Sequence, residues 1–179
     1  LCVAQWTVRQ FTVSFDAAGG SAVAAITQDF GSTVTPPDAP AKTGYTFAGW
    51  TPAVPAVMPA EDTLCIAQWT VNDYTVTFDA QGGSVTPESI GVTYGETYGE
   101  LPVPVKEGNN FGGWFTGIDG TGTQITSATT VTITENQTLY ANWSIGNYSI
   151  TFDANGGTGG IGPLSMVFGD TLTAPTVTR

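Results

Sequence analysis

The sequence predicts a mainly β chain of the small α+β kind, arranged as tandem repeats like beads on a string. Three observations predict it. Thr, Val, Gly and aromatic residues dominate the 179 residues, with 23 Gly and 11 Pro, and these suit pleated strands and the turns between them, whereas helix formers are scarce. Runs such as Tyr74-Thr75-Val76-Thr77-Phe78 alternate apolar and Thr positions, so Tyr74, Val76 and Phe78 share one sheet face. Most telling, Phe15-Asp16-Ala17-Ala18-Gly19-Gly20 returns as Phe78-Asp79-Ala80-Gln81-Gly82-Gly83 and again as Phe152-Asp153-Ala154-Asn155-Gly156-Gly157, at offsets of 63 (78−15) and 74 (152−78).

Taken in order, Leu1-Cys2-Val3-Ala4-Gln5-Trp6 nearly repeats Leu64-Cys65-Ile66-Ala67-Gln68-Trp69, so residues 1–6 are expected to be the closing strand of a preceding copy. A short repeat follows over 10–69. It carries the Phe15-Asp16 landmark, Phe30-Gly31, Lys42, the run Gly44-Tyr45-Thr46-Phe47-Ala48-Gly49-Trp50 and the closing Ala67-Gln68-Trp69. Pro52, Pro55 and Pro59 lack the N–H that a central strand donates, which predicts an irregular loop there.

The full-length repeat over 73–143 keeps the same order: Phe78-Asp79, Tyr94-Gly95, Lys106, Gly108 to Trp114, then Ala141-Asn142-Trp143. Strands are expected at 74–78, 92–94, 111–115 and 139–143, with one helical turn over 96–101 before Pro102 and Pro104 forbid continuation. The stretch from Trp114 to Trp143 spans 29 residues against 19 from Trp50 to Trp69. Alternation over 120–134 predicts that the extra residues form one added hairpin.

Residues 147–179 read as the N-terminal part of a further, truncated repeat, with Phe168-Gly169 and Arg179 at the aromatic-Gly and Lys positions. Both ends are thus expected to be severed repeats of a longer chain. The linkers Thr7-Val8-Arg9, Thr70-Val71-Asn72 and Ser144-Ile145-Gly146 leave little slack, which predicts a stiff string.

With 4 Lys+Arg against 15 Asp+Glu, the net charge of −11 repels polyphosphate and anionic lipid, which removes nucleic acid and membrane surfaces as partners. No apolar run of 18 residues is present, so no membrane insertion is expected of this segment.

Together the motifs Tyr-x-Val-x-Phe-Asp-x-x-Gly-Gly, Tyr-Gly, the Gly-Trp run and Leu139-Tyr140-Ala141-Asn142-Trp143 resemble the Listeria–Bacteroides repeat, also called the internalin B-repeat, over essentially the whole chain. The resemblance implies a β-grasp-like fold for each repeat, an extracellular or bacterial cell-surface setting, and a role as spacer or protein-interaction module. It implies no catalytic residue and no cofactor.

Residues that could carry chemistry have structural readings too. Asp16, Asp79 and Asp153 supply one carboxylate per repeat, too few for Ca²⁺, and each precedes a Gly pair (Gly19-Gly20, Gly82-Gly83, Gly156-Gly157), where an Asp bonds its own backbone in a turn. Asp119-Gly120-Thr121-Gly122-Thr123 lacks the Lys and acidic partners of a phosphate or metal loop and reads as a hairpin turn. Cys2 and Cys65 stand one period apart, too far for a disulfide, and read as small buried hydrophobes. Trp50, Trp114, Trp69, Trp143 and Trp6 could form a glycan platform, but their recurrence favours core packing. Lys42 and Lys106 read as solvated rather than as isopeptide partners.

With no His in the chain and no carboxylate pair in a recognisable motif, no catalytic, cofactor or metal site is expected. Asn136, Asn142 and Asn147 match the glycosylation pattern. The leading expectation is a non-enzymatic stalk and adhesion module that meets other proteins, host or self, through β edges or faces. The alternatives are a segment of an extracellular filament that self-associates, and a carbohydrate-binding accessory region of a secreted enzyme.

Overall fold

The computed structural model describes residues 2–159, 162–174 and 176–178. The expected roles of Leu1 and Arg179 lie outside the described residues. The chain is mainly β and divides into two compact units. Unit 1 holds Leu1–Asp73, Thr93–Gly95 and Thr132–Thr134; unit 2 holds Tyr74–Val92, Glu96–Val131 and Glu135–Arg179. Unit 1 thus includes Tyr94 of the second repeat.

In unit 1, β1 (Gln10–Asp16), β2 (Ile26–Asp29), β3 (Tyr45–Thr51) and β4 (Thr63–Val71) form one sheet in the order β2-β1-β4-β3. The central pair β1·β4 is parallel, with Phe15 opposite Cys65, while β2 and β3 pair antiparallel on the outside. The second sheet repeats this plan with one strand more. β5 (Asp73–Asp79), β6 (Ser89–Thr93), β7 (Asn109–Phe115), β8 (Gln124–Ile125) and β9 (Gln137–Ile145) run in the order β6-β5-β9-β7-β8, again with a parallel centre, β5·β9. In β5 the alternation works as expected: Val76 and Phe78 are buried, and Thr75 and Thr77 are exposed. Beyond it, β10 (Asn147–Ile150) pairs β12 (Leu164–Val167) and β11 (Thr158–Gly159) pairs β13 (Val177–Thr178).

A bulge explains the Phe-x-Gly-Trp run. Phe47 lies opposite Trp69 and Gly49 opposite Gln68, so Ala48 is the extra residue, and the same shift falls between Phe111 and Gly113. Side chains alternate with period two, so residues 47 and 50 would otherwise face opposite sides; one inserted residue returns both to the same face. Gly49 and Gly113 sit at φ 122° and 119°, a conformation that favours glycine.

The core of unit 1 is Val13, Val34, Met58 and Cys65, covered by Phe15, Ile26 and Trp50 among others. The irregular loop expected around Pro52, Pro55 and Pro59 is present, and it delivers Met58, whose N–H donates to the Ser32 carbonyl at 2.8 Å. In unit 2 the fully buried Val131 takes this place, donating to Glu96 at 2.8 Å.

Several expectations need correction. The added hairpin is present but sits earlier than 120–134: β8 pairs antiparallel with the preceding β7, Trp114 opposite Ile125, across the expected turn at Asp119-Gly120, and a Thr126–Thr129 turn then carries the chain to the buried Val131. No helical turn forms over 96–101; Gly99 stands at φ 69°, which breaks a right-handed helix, and Thr97 instead bridges Thr130. The one helical segment among the described residues is a 3-10 turn at Ile118–Gly120. Residues 2–9 hold no strand, and Trp6 is 91% exposed. Cys2 is exposed rather than buried, having no described strand beside it, while Cys65 is buried, and both thiols are free.

Candidate functional site

The recurring landmarks converge on one clasp per repeat. In the first, the Asp16 carboxylate accepts the Ala18 N–H at 2.8 Å, turning the chain through Ala18 (φ 47°) and Gly19 (φ 87°) before Gly20 donates to the Ala17 carbonyl at 3.0 Å. The Trp69 indole N–H donates to that same carbonyl at 3.0 Å, and Lys42 Nζ donates to the Ala18 carbonyl at 3.0 Å. A Cβ on Gly20 would stand 2.5 Å from Trp69 Cζ2, so the second glycine makes room for the ring.

The second copy reproduces each contact. Asp79 accepts from Gln81 at 2.9 Å, Trp143 donates to Ala80 at 2.8 Å, Lys106 donates to Gln81 at 2.9 Å, and a Cβ on Gly83 would meet the Val105 carbonyl oxygen at 2.6 Å. In the third, Asp153 accepts from Asn155 at 2.8 Å and Gly157 donates to Ala154. These carboxylates are therefore occupied by their own turns. Lys42 and Lys106, expected to be solvated, are half-exposed, and each also donates to a loop carbonyl that the Asp turn aims at the ammonium. Lys42 also lies 4.4 Å from the Tyr45 ring centroid.

The tryptophans join the clasp to the core. Phe15, Trp50, Phe47 and Trp69 follow one another at centroid distances of 4.9, 5.3 and 5.5 Å. Phe78, Trp114, Phe111 and Trp143 follow at 4.7, 5.4 and 5.6 Å. These tilted and edge-on pairs are how a small domain fills its interior. Trp114 is 2% exposed, and its indole N–H donates to the Pro102 carbonyl at 2.8 Å. Each of these rings is engaged with its neighbours, as a packing role requires.

A second recurring arrangement was not foreseen. In unit 1, Tyr94 lies over Gly44, close enough that a Cβ there would enter its ring, and it meets Tyr45 edge-on at 6.0 Å. Asn72 ties the two: its N–H donates to Gly44 at 2.9 Å and its carbonyl accepts from Tyr94 at 3.0 Å. In unit 2, Phe168 lies over Gly108 in the same way, with Gly146 donating to Gly108 at 2.8 Å and accepting from Phe168 at 3.0 Å. The aromatic-Gly and Gly-aromatic landmarks were visible in the sequence as separate marks; their shared period was the signal that they pair.

Open grooves also occur. One of about 630 Å³ runs along the Asp79 turn beside Thr77, Thr86 and Thr138. Among the described residues no group of three or more His, Cys, Asp or Glu could share a metal ion, and no helix is long and apolar enough to cross a membrane. The titratable side chains that burial perturbs, Cys65 and Tyr98, both have raised pKa values and sit in the cores.

Comparison with known proteins agrees with this repeated plan. The Listeria-Bacteroides repeat domain matches residues 11–54 and 74–142. A protein of Evansella cellulosilytica named as a membrane protein is 39% identical over 173 residues, covering 92% of this chain and 26% of that protein. A second from the same organism, named as a Gly-rich membrane protein, is 36% identical over 86% of this chain and 18% of its own length. Internalin H of Listeria monocytogenes is 36% identical over 79% of this chain and 26% of its own length. The chain thus spans about a quarter or less of these relatives. No solved structure matches it. Matched over these two segments, which together make up more than half of its length, the chain belongs to the Listeria-Bacteroides repeat family.

Proposed function

We propose that this chain is a non-enzymatic repeat region of a bacterial secreted or cell-surface protein, serving as a spacer and as a protein-interaction module. The observation that carries the reading is the linker geometry. Asn72 within unit 1 and Gly146 within unit 2 each spend both backbone groups bracing a Gly-Xaa turn against the aromatic of the following copy, which favours a spacer over a flexible tether. The strand orders β2-β1-β4-β3 and β6-β5-β9-β7-β8, with parallel centres, favour a β-grasp-like description of the repeats at 10–69 and 73–143. Similarity to Internalin H supports a surface setting and protein partners.

Small-angle scattering of the chain tests the spacer. A compact globule of 179 residues has a radius of gyration of about 16 Å. A value well above this with a single rigid profile is expected; a value near it contradicts the reading.

A further inference from the structure

The first repeat also carries an aromatic at the position of the two braced rings, but among the described residues no glycine turn lies on it. Phe30 corresponds to Tyr94 and Phe168, and Arg9 corresponds to the linker residues Asn72 and Gly146. Half of the arrangement is built: the Phe30 N–H donates to the Arg9 carbonyl at 2.9 Å, as Tyr94 and Phe168 donate to their linkers at 3.0 Å. The other half is open. The Asn72 and Gly146 N–H groups donate to Gly44 and Gly108, whereas the Arg9 N–H makes no backbone hydrogen bond of this kind among the described residues.

The surface around it has the chemistry of a seat. Phe11 meets Phe30 edge-on at 6.4 Å, the Arg9 guanidinium lies 5.3 Å from the Phe11 centroid, and Phe30 is 56% exposed. Thr7, Val8, Arg9, Phe11, Phe30 and Ala60 line an open cavity of about 400 Å³. A ring face beside an unused N–H suits a backbone segment with a free carbonyl and no Cβ, which is what Gly44 and Gly108 present to Tyr94 and Phe168.

We infer that the Arg9–Phe30 face is a docking site for the Gly-Xaa turn of another copy of this unit, joined ahead of it in the same chain. A copy in a separate molecule does not fit, because the Gly44 and Gly108 turns are already covered. The inference rests on the spacer reading and deepens it by naming the joint at which a preceding repeat would be held.

The test is to fuse an extra copy of residues 10–71 directly before Arg9 of the full chain, and to measure amide exchange at Arg9 in the parent and extended proteins. Exchange at Arg9 is expected to slow by about tenfold or more in the extended chain. Phe30→Ala should return it to the parent rate while the strands of the added copy stay protected, and Gly44→Ala within the added copy should do the same. An unchanged Arg9 rate, or slowing that survives both substitutions, overturns the inference. The spacer reading fails separately: a protected Arg9 in a chain whose scattering is compact would refute the spacer and leave the joint standing.

Discussion

The Tyr94 ring rests on Gly44, fifty positions earlier (94−44), where any side chain would collide with it. This contact and its twin, Phe168 on Gly108, turn two unremarkable glycines into positions that demand both a positive φ and an open face.

Glycine substitutions separate those two demands. Gly31 has φ 80° with nothing near its missing Cβ, so Gly31→Ala should cost only the left-handed strain, about 1–2 kcal/mol. Gly44→Ala adds a collision with Tyr94 and should cost about 3 kcal/mol or more. Urea denaturation followed by tryptophan fluorescence compares them; equal losses would show that the ring yields freely.

The clasp should matter through its indole. Trp143→Phe keeps much of the apolar contact with Phe111 but removes the donor to the Ala80 carbonyl, and should destabilise by about 1–3 kcal/mol. Lys106→Met, which loses a partly exposed bond, should cost less, about 1 kcal/mol or under. If the lysine substitution proves the costlier, the order of importance assigned here is wrong.

Divalent cations should leave stability unchanged. Asp16, Asp79 and Asp153 each accept a backbone N–H in their own turn, and no cluster of metal-binding groups occurs among the described residues. Melting curves with millimolar calcium and with EDTA should superimpose, while Asp79→Ala should lower stability by about 1 kcal/mol in both. A calcium-dependent melting point would point to a ligand role for these carboxylates.

Alkaline pH should weaken the fold in two steps. Burial raises the Cys65 thiol above its ordinary 9.0 and the Tyr98 phenol above its ordinary 10.0. The unfolded chain ionises each group at its ordinary value, while the folded chain resists, so the stability is fully present below pH 9. It is then lost as pH rises past about 9 through Cys65 and past about 10 through Tyr98. Denaturation midpoints from pH 7 to 11 should show this decline, and Cys65→Ala should abolish the earlier part; a midpoint that rises with pH would reverse the sign.

Much of this architecture is legible in the residues. Alternation places Val76 and Phe78 inward, and the period marks Asp16 and its counterparts as turn residues and Trp69 and Trp143 as packing residues. What is not legible is what depends on distant partners. The parallel pairing of β1 with β4 leaves no trace in alternation, because period two reports a face and not a neighbour. Gly99 ends the helical turn expected over 96–101, but a lone glycine does not announce its φ. The stretch 130–134 alternates like a strand, yet it serves to deliver Val131 to the core. Lys42 looks like a surface residue until the Asp16 turn supplies the carbonyl it binds.

A double-mutant cycle between Gly44 and Tyr94 tests the aromatic-on-glycine joint most directly. Comparing Gly44→Ala, Tyr94→Ala and the double variant cancels the φ strain and leaves the contact alone. The expected coupling is about 1–3 kcal/mol, with Gly44→Ala costing far less once the ring is gone. A coupling of zero would mean that Tyr94 and Gly44 are neighbours without being a joint, and the account of how these repeats brace one another would fall with it.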